Sequence, residues 1–339
     1  MKRAPFLVLF TLICLALTPC NVWPASRAGV VTMSFDLSSQ EAGKDTRLWI
    51  PYPVSDSDQL IGDIKVSGNF ISSAVYTDRV NGNPILYAYW DGKNVDRQLV
   101  LSVAVERLEV VHKGIPVKEN RWDRANYKAY LGPTRQGPTD GDVKKLADKI
   151  TKGKTTTVAK ARAIYDWICD NMARDPNVRG CGQGNVCALL VEPKGKCTDI
   201  SSVFVALCRA ADVPAREVFG IRLGKKTEED ITGYQHCWAE FFVPGHGWVP
   251  ADPADVLKAR LVENLEPKDP KLAAYRVYFW GGIDPYRIKL STGRDIELNP
   301  PQAGEPLNNF GYPFAQVGGT TVDWYAPDSF KYKMSFKEK

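Results

Sequence analysis

Two hydrophobic periods divide the chain. From residue 29 to about 120, apolar residues alternate with polar ones in short runs at 30–37, 47–52, 61–66, 73–79, 84–90 and 98–111. A period of two is that of a strand with one buried face. The runs carry β-branched and aromatic residues, and Asn81-Gly82 between two of them is a hairpin signal. Short strands without intervening helices predict a β-sandwich over 29–125.

A Pro/Gly-rich stretch at 130–142 reads as a linker, and beyond it the period becomes helical. Helices are expected over 142–152 and 157–173; in the second, Ala161, Ile164, Tyr165, Ile168 and Met172 share a face. Asp175-Pro176 stops it, and an irregular Gly-rich loop runs over 177–196. The next helix opens at Cys197, with Ile200, Val203, Phe204, Leu207, Ala210 and Ala211 at helical spacing. Then come a strand at 215–223, a charged turn at 225–230, and a hairpin of 234–243 with 248–252 around Pro244-Gly245-His246-Gly247. Helices followed by an antiparallel sheet give an α+β fold class. The expected organisation is a sandwich at 29–125, a core at 140–300 and a C-terminal extension at 301–339 packed on the core.

Composition changes the picture at the N-terminus. Lys2 and Arg3 precede an apolar stretch at 6–17, and Ala25 and Ala28 offer cleavage points, so 1–28 reads as a signal peptide. No apolar run is long enough to span a bilayer comfortably. The expectation is a periplasmic or secreted protein with no membrane insertion after leader removal. The net charge of +5 falls to +2 without Lys2, Arg3 and Arg27, too little to argue for nucleic acid.

Six of the eight cysteines lie beyond the leader: Cys169, Cys181, Cys187, Cys197, Cys208 and Cys237. Cys181 and Cys187 share the Gly-rich loop and are the easiest pair to join. A metal site of Cys181, Cys187, Cys197 and His236 is weakly supported, because their spacing is not one zinc favours. The expectation is no metal and no cofactor. His112 reads as a surface histidine without a partner, and His246 as a solvated hairpin tip.

The chemistry concentrates on Cys197. It follows Gly195-Lys196 at a helix N-terminus, where partial positive charge favours the thiolate. His236 and Trp238 lie on one face of the hairpin strand, Cys237 on the other. Asp252 reaches the His236 face if Val243 pairs with Gly247, or through a bulge with the same effect; with Val243 opposite Trp248 it points away. Cys197 as nucleophile, His236 as base and Asp252 as orienting acid make an acyl-transfer site. Gln183 is a candidate oxyanion donor and Trp238 a candidate cleft wall.

The segments Gly195-Lys196-Cys197-Thr198-Asp199, His236-Cys237-Trp238-Ala239-Glu240 and Gly247-Trp248-Val249-Pro250-Ala251-Asp252-Pro253 occur in order, 39 residues from Cys197 to His236 and 16 from there to Asp252. This resembles the transglutaminase-like domain of the papain-type thiol enzymes. The resemblance implies an enzyme acting on protein or peptide amides through a Cys197 thioester, with hydrolysis favoured over crosslinking in exported bacterial members. The segments around Tyr286-Arg287 and Arg294-Asp295 look like structural cover that accompanies such domains. The rival reading is a binding or scaffolding module that keeps the fold without turnover.

Overall fold

A computed structural model of the chain describes residues 25–112, 114–116, 118–326 and 329–339. The expected leader lies outside the described residues through position 24, but its last part does not. Ser26 opens strand β1 (Ser26–Asp36). The buried Arg27 guanidinium donates to the carbonyls of Gly224 and Lys226. The folded unit therefore starts before the expected boundary at 28.

The alternating runs form β1, β2 (Thr46–Pro51), β3 (Gln59–Gly68), β4 (Ser72–Thr77), β5 (Pro84–Trp90) and β6 (Gln98–Leu108). β6 lies between β1 and β3 in one sheet, and β5 lies between β2 and β4 in another. Inward residues from both, among them Val31, Met33, Leu48, Leu86 and Leu101, form one core. Each sheet is completed by the end of the chain. Phe314–Val317 pairs with β2, and Lys331–Glu338 pairs with β1. The expected extension over the core is thus partly sandwich. Tyr332, Met334 and Phe336 alternate with Lys333, Ser335 and Lys337, and Met334 and Phe336 enter the sandwich core.

The expected linker is pinned rather than free. Gly132 accepts from Arg209 at 2.9 Å, Gln136 accepts from the Val186 N–H at 2.9 Å, and the Arg135 N–H donates to Asp295 at 2.8 Å.

The core sheet runs Gly247–Ala251, Gln235–Val243, Ala215–Arg222, Arg287–Thr292, all antiparallel. Helices α1 (Gly141–Thr151), α2 (Thr157–Asn171), α3 (Val186–Val191) and α4 (Cys197–Ala210) precede it. α4 is buried on every side, not along one face: α1, α2 and α3 pack round it, and two of the sheet strands cover the rest. Its polar residues are therefore enclosed, and Arg209 is held by the Ala215 and Gly132 carbonyls. Two further helices, α5 (Pro253–Val262) and α6 (Pro270–Tyr278), follow the hairpin. Each begins with proline after an aspartate N-cap, an arrangement that satisfies free backbone N–H groups and suits the fixed proline φ.

Candidate active site

Cys197 is the first residue of α4. Its neighbour Thr198 donates its N–H to the Cys181 carbonyl at 2.9 Å, tying the Gly-rich loop to the helix start. Asp199 holds the same junction from below. One oxygen accepts from the Gly184 N–H at 2.7 Å, the other from the Lys196 N–H at 2.9 Å. The loop can approach only because Gly182 lacks a side chain. Its φ is +95°, and a Cβ there would lie 2.0 Å from the Asp199 carboxylate.

The hairpin takes the register that puts Asp252 on the His236 face: Val243 pairs with Gly247, and Ala239 with Ala251. His236 Nε2 meets Asp252 Oδ2 at 2.7 Å. An ionised carboxylate only accepts, so Nε2 carries the hydrogen and Nδ1 is left for Cys197. His236 and Cys197 line one cleft, and the histidine favours the ionised form of the Cys197 sulfur. Asp252 is also the α5 N-cap, its Oδ1 accepting from the Asp255 N–H at 2.9 Å.

These residues are tied into a largely buried ion network. The fully buried Arg287 guanidinium donates to Asp252 Oδ2 at 2.6 Å and Asp255 Oδ2 at 2.8 Å, and it also contacts Asp284. Arg222 pairs with the other oxygen of Asp255. Burial opposes ionisation of Asp255, but Arg222, His236 and Arg287 together hold its carboxyl well below the usual range. For His236, burial and Arg222 work against the imidazolium, while Asp255 and Asp252 favour it. The net direction is upward.

Three buried sulfurs meet at Cys197. Cys181, Cys197 and Cys237 have Sγ atoms within 4.8 Å of one another. Hydrogen bonds from the Cys181 and Cys237 thiols, followed by that of His236 and its charge, hold the Cys197 thiol well below its ordinary value despite burial. The two partners shift upward, Cys181 chiefly through its bond to Cys197 and Cys237 chiefly through burial. The Cys181 thiol also donates to the Gln235 carbonyl at 3.5 Å. Tyr312 Oη donates to Cys181 at 3.1 Å, and Thr198 Oγ1 lies 3.2 Å from Cys237.

Several sequence expectations are corrected. Gln183 is exposed, and its carbonyl is taken by Arg294 and Asn308. It lines a different, smaller pocket beside residues 303–309, so it is no oxyanion donor. Trp238 is buried behind His236, its ring stacked on the imidazole with centroids 6.3 Å apart, and packs with Val218 and Ile283. It supports the histidine and is not a cleft wall. Cys181 and Cys187 are unjoined: the first turns inward to Cys197, the second is exposed on α3. His112 has a partner after all, its Nδ1 lying 3.0 Å from His246 Nε2. Arg287, expected to be cover, instead touches Asp252 directly.

The cleft at Cys197 has a volume of about 960 Å³, and its lining includes Arg174, Lys258, Ala259, Leu223, Tyr234 and Tyr286.

Fold and site thus define a papain-type arrangement, a cysteine at a helix start facing a histidine and an aspartate on an antiparallel sheet. A family model described as the transglutaminase-like superfamily matches residues 144–253. An uncharacterized protein of Haemophilus influenzae is 37% identical over 328 residues, covering 89% of this chain and 89% of its own. The chain belongs to the transglutaminase-like superfamily. The uncharacterized protein YebA of Bacillus subtilis is 30% identical over 125 residues, 33% of this chain and 17% of YebA. A crystal structure of a candidate cysteine protease from Cytophaga hutchinsonii aligns over 92% of this chain and 98% of its own, with a TM-score of 0.55 and 17% identity. That likeness is one of fold.

Proposed function

We propose that the protein is an exported thiol hydrolase that cleaves protein or peptide amide bonds through a thioester on Cys197. The observation that carries this reading is the buried Cys197 at the start of α4, facing a His236 whose other nitrogen is held by Asp252 at 2.7 Å.

The Cys197 thiolate attacks the amide carbonyl carbon and an S–C bond forms. The negative charge on oxygen is met by the Cys197 backbone N–H at the helix N-terminus. The imidazolium gives its Nδ1 proton to the leaving nitrogen, the C–N bond breaks, and a thioester remains. Neutral His236 then takes a proton from water, whose oxygen attacks the thioester and releases a carboxylic acid and the thiolate. Asp252 keeps Nε2 protonated and stabilises the cation in both halves. An amine in place of water yields a crosslink. Export and the choice of water rest on the leader and on the resemblance to exported members.

The test is turnover of a peptide pool read by mass spectrometry. New carboxyl termini, or deamidated side chains incorporating one oxygen from labelled water, are expected from the wild type and not from Cys197→Ser. Equal turnover by Cys197→Ser, or amine incorporation without hydrolysis, contradicts the reading.

A further inference from the structure

The charges lining the cleft are unbalanced in a specific way. Its acids are already engaged. Asp255 is held by Arg222 and Arg287, and Asp284 by Arg287. Glu263 takes Lys271 at 2.7 Å and the Tyr275 hydroxyl at 2.7 Å. Glu229 takes the Tyr234 hydroxyl and the N–H groups of Lys225 and Lys226. Among the described residues, Arg174 and Lys258 have no carboxylate within ion-pair distance, although both line the cleft with Cys197.

Both cations are placed by the fold. Arg174 sits in a two-residue strand, Ala173–Arg174, paired in parallel with Lys194–Gly195, so it lies opposite Gly195 and two positions from the nucleophile. Lys258 is three residues beyond Asp255 on α5, on the helix face that meets the site, and α5 packs on that same short strand. Neither is a free surface lysine or arginine: both are half-buried. Burial, with Arg222 and Arg174 as neighbouring cations, pushes the Lys258 ammonium below its ordinary range although Asp255 and the Cys197 sulfur oppose this. An anion seated between them relieves that repulsion.

We propose that Arg174 and Lys258 form an anion subsite beside Cys197 that seats a carboxylate of the peptide acyl donor, so that acidic peptides are the preferred substrate class. This rests on the acyl-transfer reading above. The tyrosines and apolar side chains of the cleft, Tyr234, Tyr286, Leu223 and Val262, supply the remaining wall for an extended peptide. Lys225 and Lys226, on the exposed turn across the cleft, extend the same positive field.

Alkylation of Cys197 by iodoacetate and by iodoacetamide tests this on the full protein without the leader. The reagents differ in charge, and the ratio of their rates at Cys197, mapped by mass spectrometry, is independent of how reactive the thiol is. The wild-type ratio should exceed that of N-acetylcysteine. Lys258→Gln and Arg174→Gln should each lower it severalfold and together about tenfold, while Lys258→Arg retains it. Added salt should weaken the wild-type preference. Acetyl-Ala-Glu-Ala-amide should protect Cys197 at concentrations where acetyl-Ala-Gln-Ala-amide does not. A ratio unchanged in the double variant, or in Lys258→Gln alone should the double variant not fold, overturns the subsite. Equal or no protection by the two peptides overturns the peptide carboxylate. A Cys197 that neither reagent labels preferentially counts instead against the acyl-transfer reading.

Discussion

Asp252 and Arg287 are joined at 2.6 Å through Oδ2, the same carboxylate oxygen that meets His236 Nε2 at 2.7 Å. One buried oxygen therefore serves two cationic partners. The imidazole is oriented by a carboxylate that is itself immobilised, on one side by Arg287 and on the other by the N-cap bond to Asp255. Arg287 is a positioning residue for the proposed chemistry.

Replacing Arg287 by methionine removes the cation shared by Asp252, Asp255 and Asp284, leaving Asp252 only His236 and Asp255 only Arg222 and His236. Loss of one partner from such a network costs about 3–5 kcal/mol. The pH dependence follows from the signs. Asp255 and Asp284 are held below the usual carboxylate range, so their contribution is present above that range and is lost as pH falls through the depressed values. Without Arg287 that loss should begin at higher pH. Melting temperature against pH reads it; superimposable wild-type and Arg287→Met curves refute the network's role.

Asp252→Asn should lower the acylation rate by about 10³–10⁴-fold, the order seen when a triad carboxylate becomes an amide. It should also lower stability, because the change leaves fully buried Arg287 short of one charged partner. Single-turnover rates and thermal melts separate the two losses. An unaltered rate excludes Asp252 as the orienting acid.

Cys181→Ala and Cys237→Ala each remove one of the two buried thiols beside the Cys197 sulfur, which favour its ionised form. Both should shift the pH profile of Cys197 alkylation upward, toward an ordinary thiol. The conservative Cys181→Ser keeps a donor and should shift it less. Profiles identical to wild type would make the sulfur cluster a matter of packing alone.

Much of this was legible in the sequence. Period-two runs located β1 to β6, and the helical spacing after Cys197 located α4. The register placing Asp252 beside His236 was one of two the sequence allowed; the three-residue connection 244–246, with Gly245 and Gly247 at positive φ, selects it. What stayed hidden depends on long-range contact. Arg287 lies 35 residues from Asp252, and the Cys181 approach depends on a glycine packed against Asp199. The α5 and α6 helices carry weak apolar periodicity, and only their Asp-Pro starts announce them. The C-terminal strands did alternate, but their partners are β1 and β2, nearly the length of the chain away.

Deleting residues 314–339 should therefore unfold the sandwich. It removes an inner neighbour of β1 and one of β2, and takes Phe330, Met334 and Phe336 from the core. A soluble, cooperatively melting truncation would contradict this pairing.

The most direct measurement is the order in which limiting iodoacetamide labels the six cysteines at mildly acidic pH, mapped by mass spectrometry. The Cys197 thiol is shifted down and the His236 imidazole up, both in the direction that favours a thiolate beside an imidazolium. Cys197 should be labelled first, ahead of the exposed Cys187, and His236→Gln should abolish that lead. Cys187 labelled first in the wild type, or an order unchanged by His236→Gln, would contradict the assignment of Cys197 as a histidine-activated nucleophile.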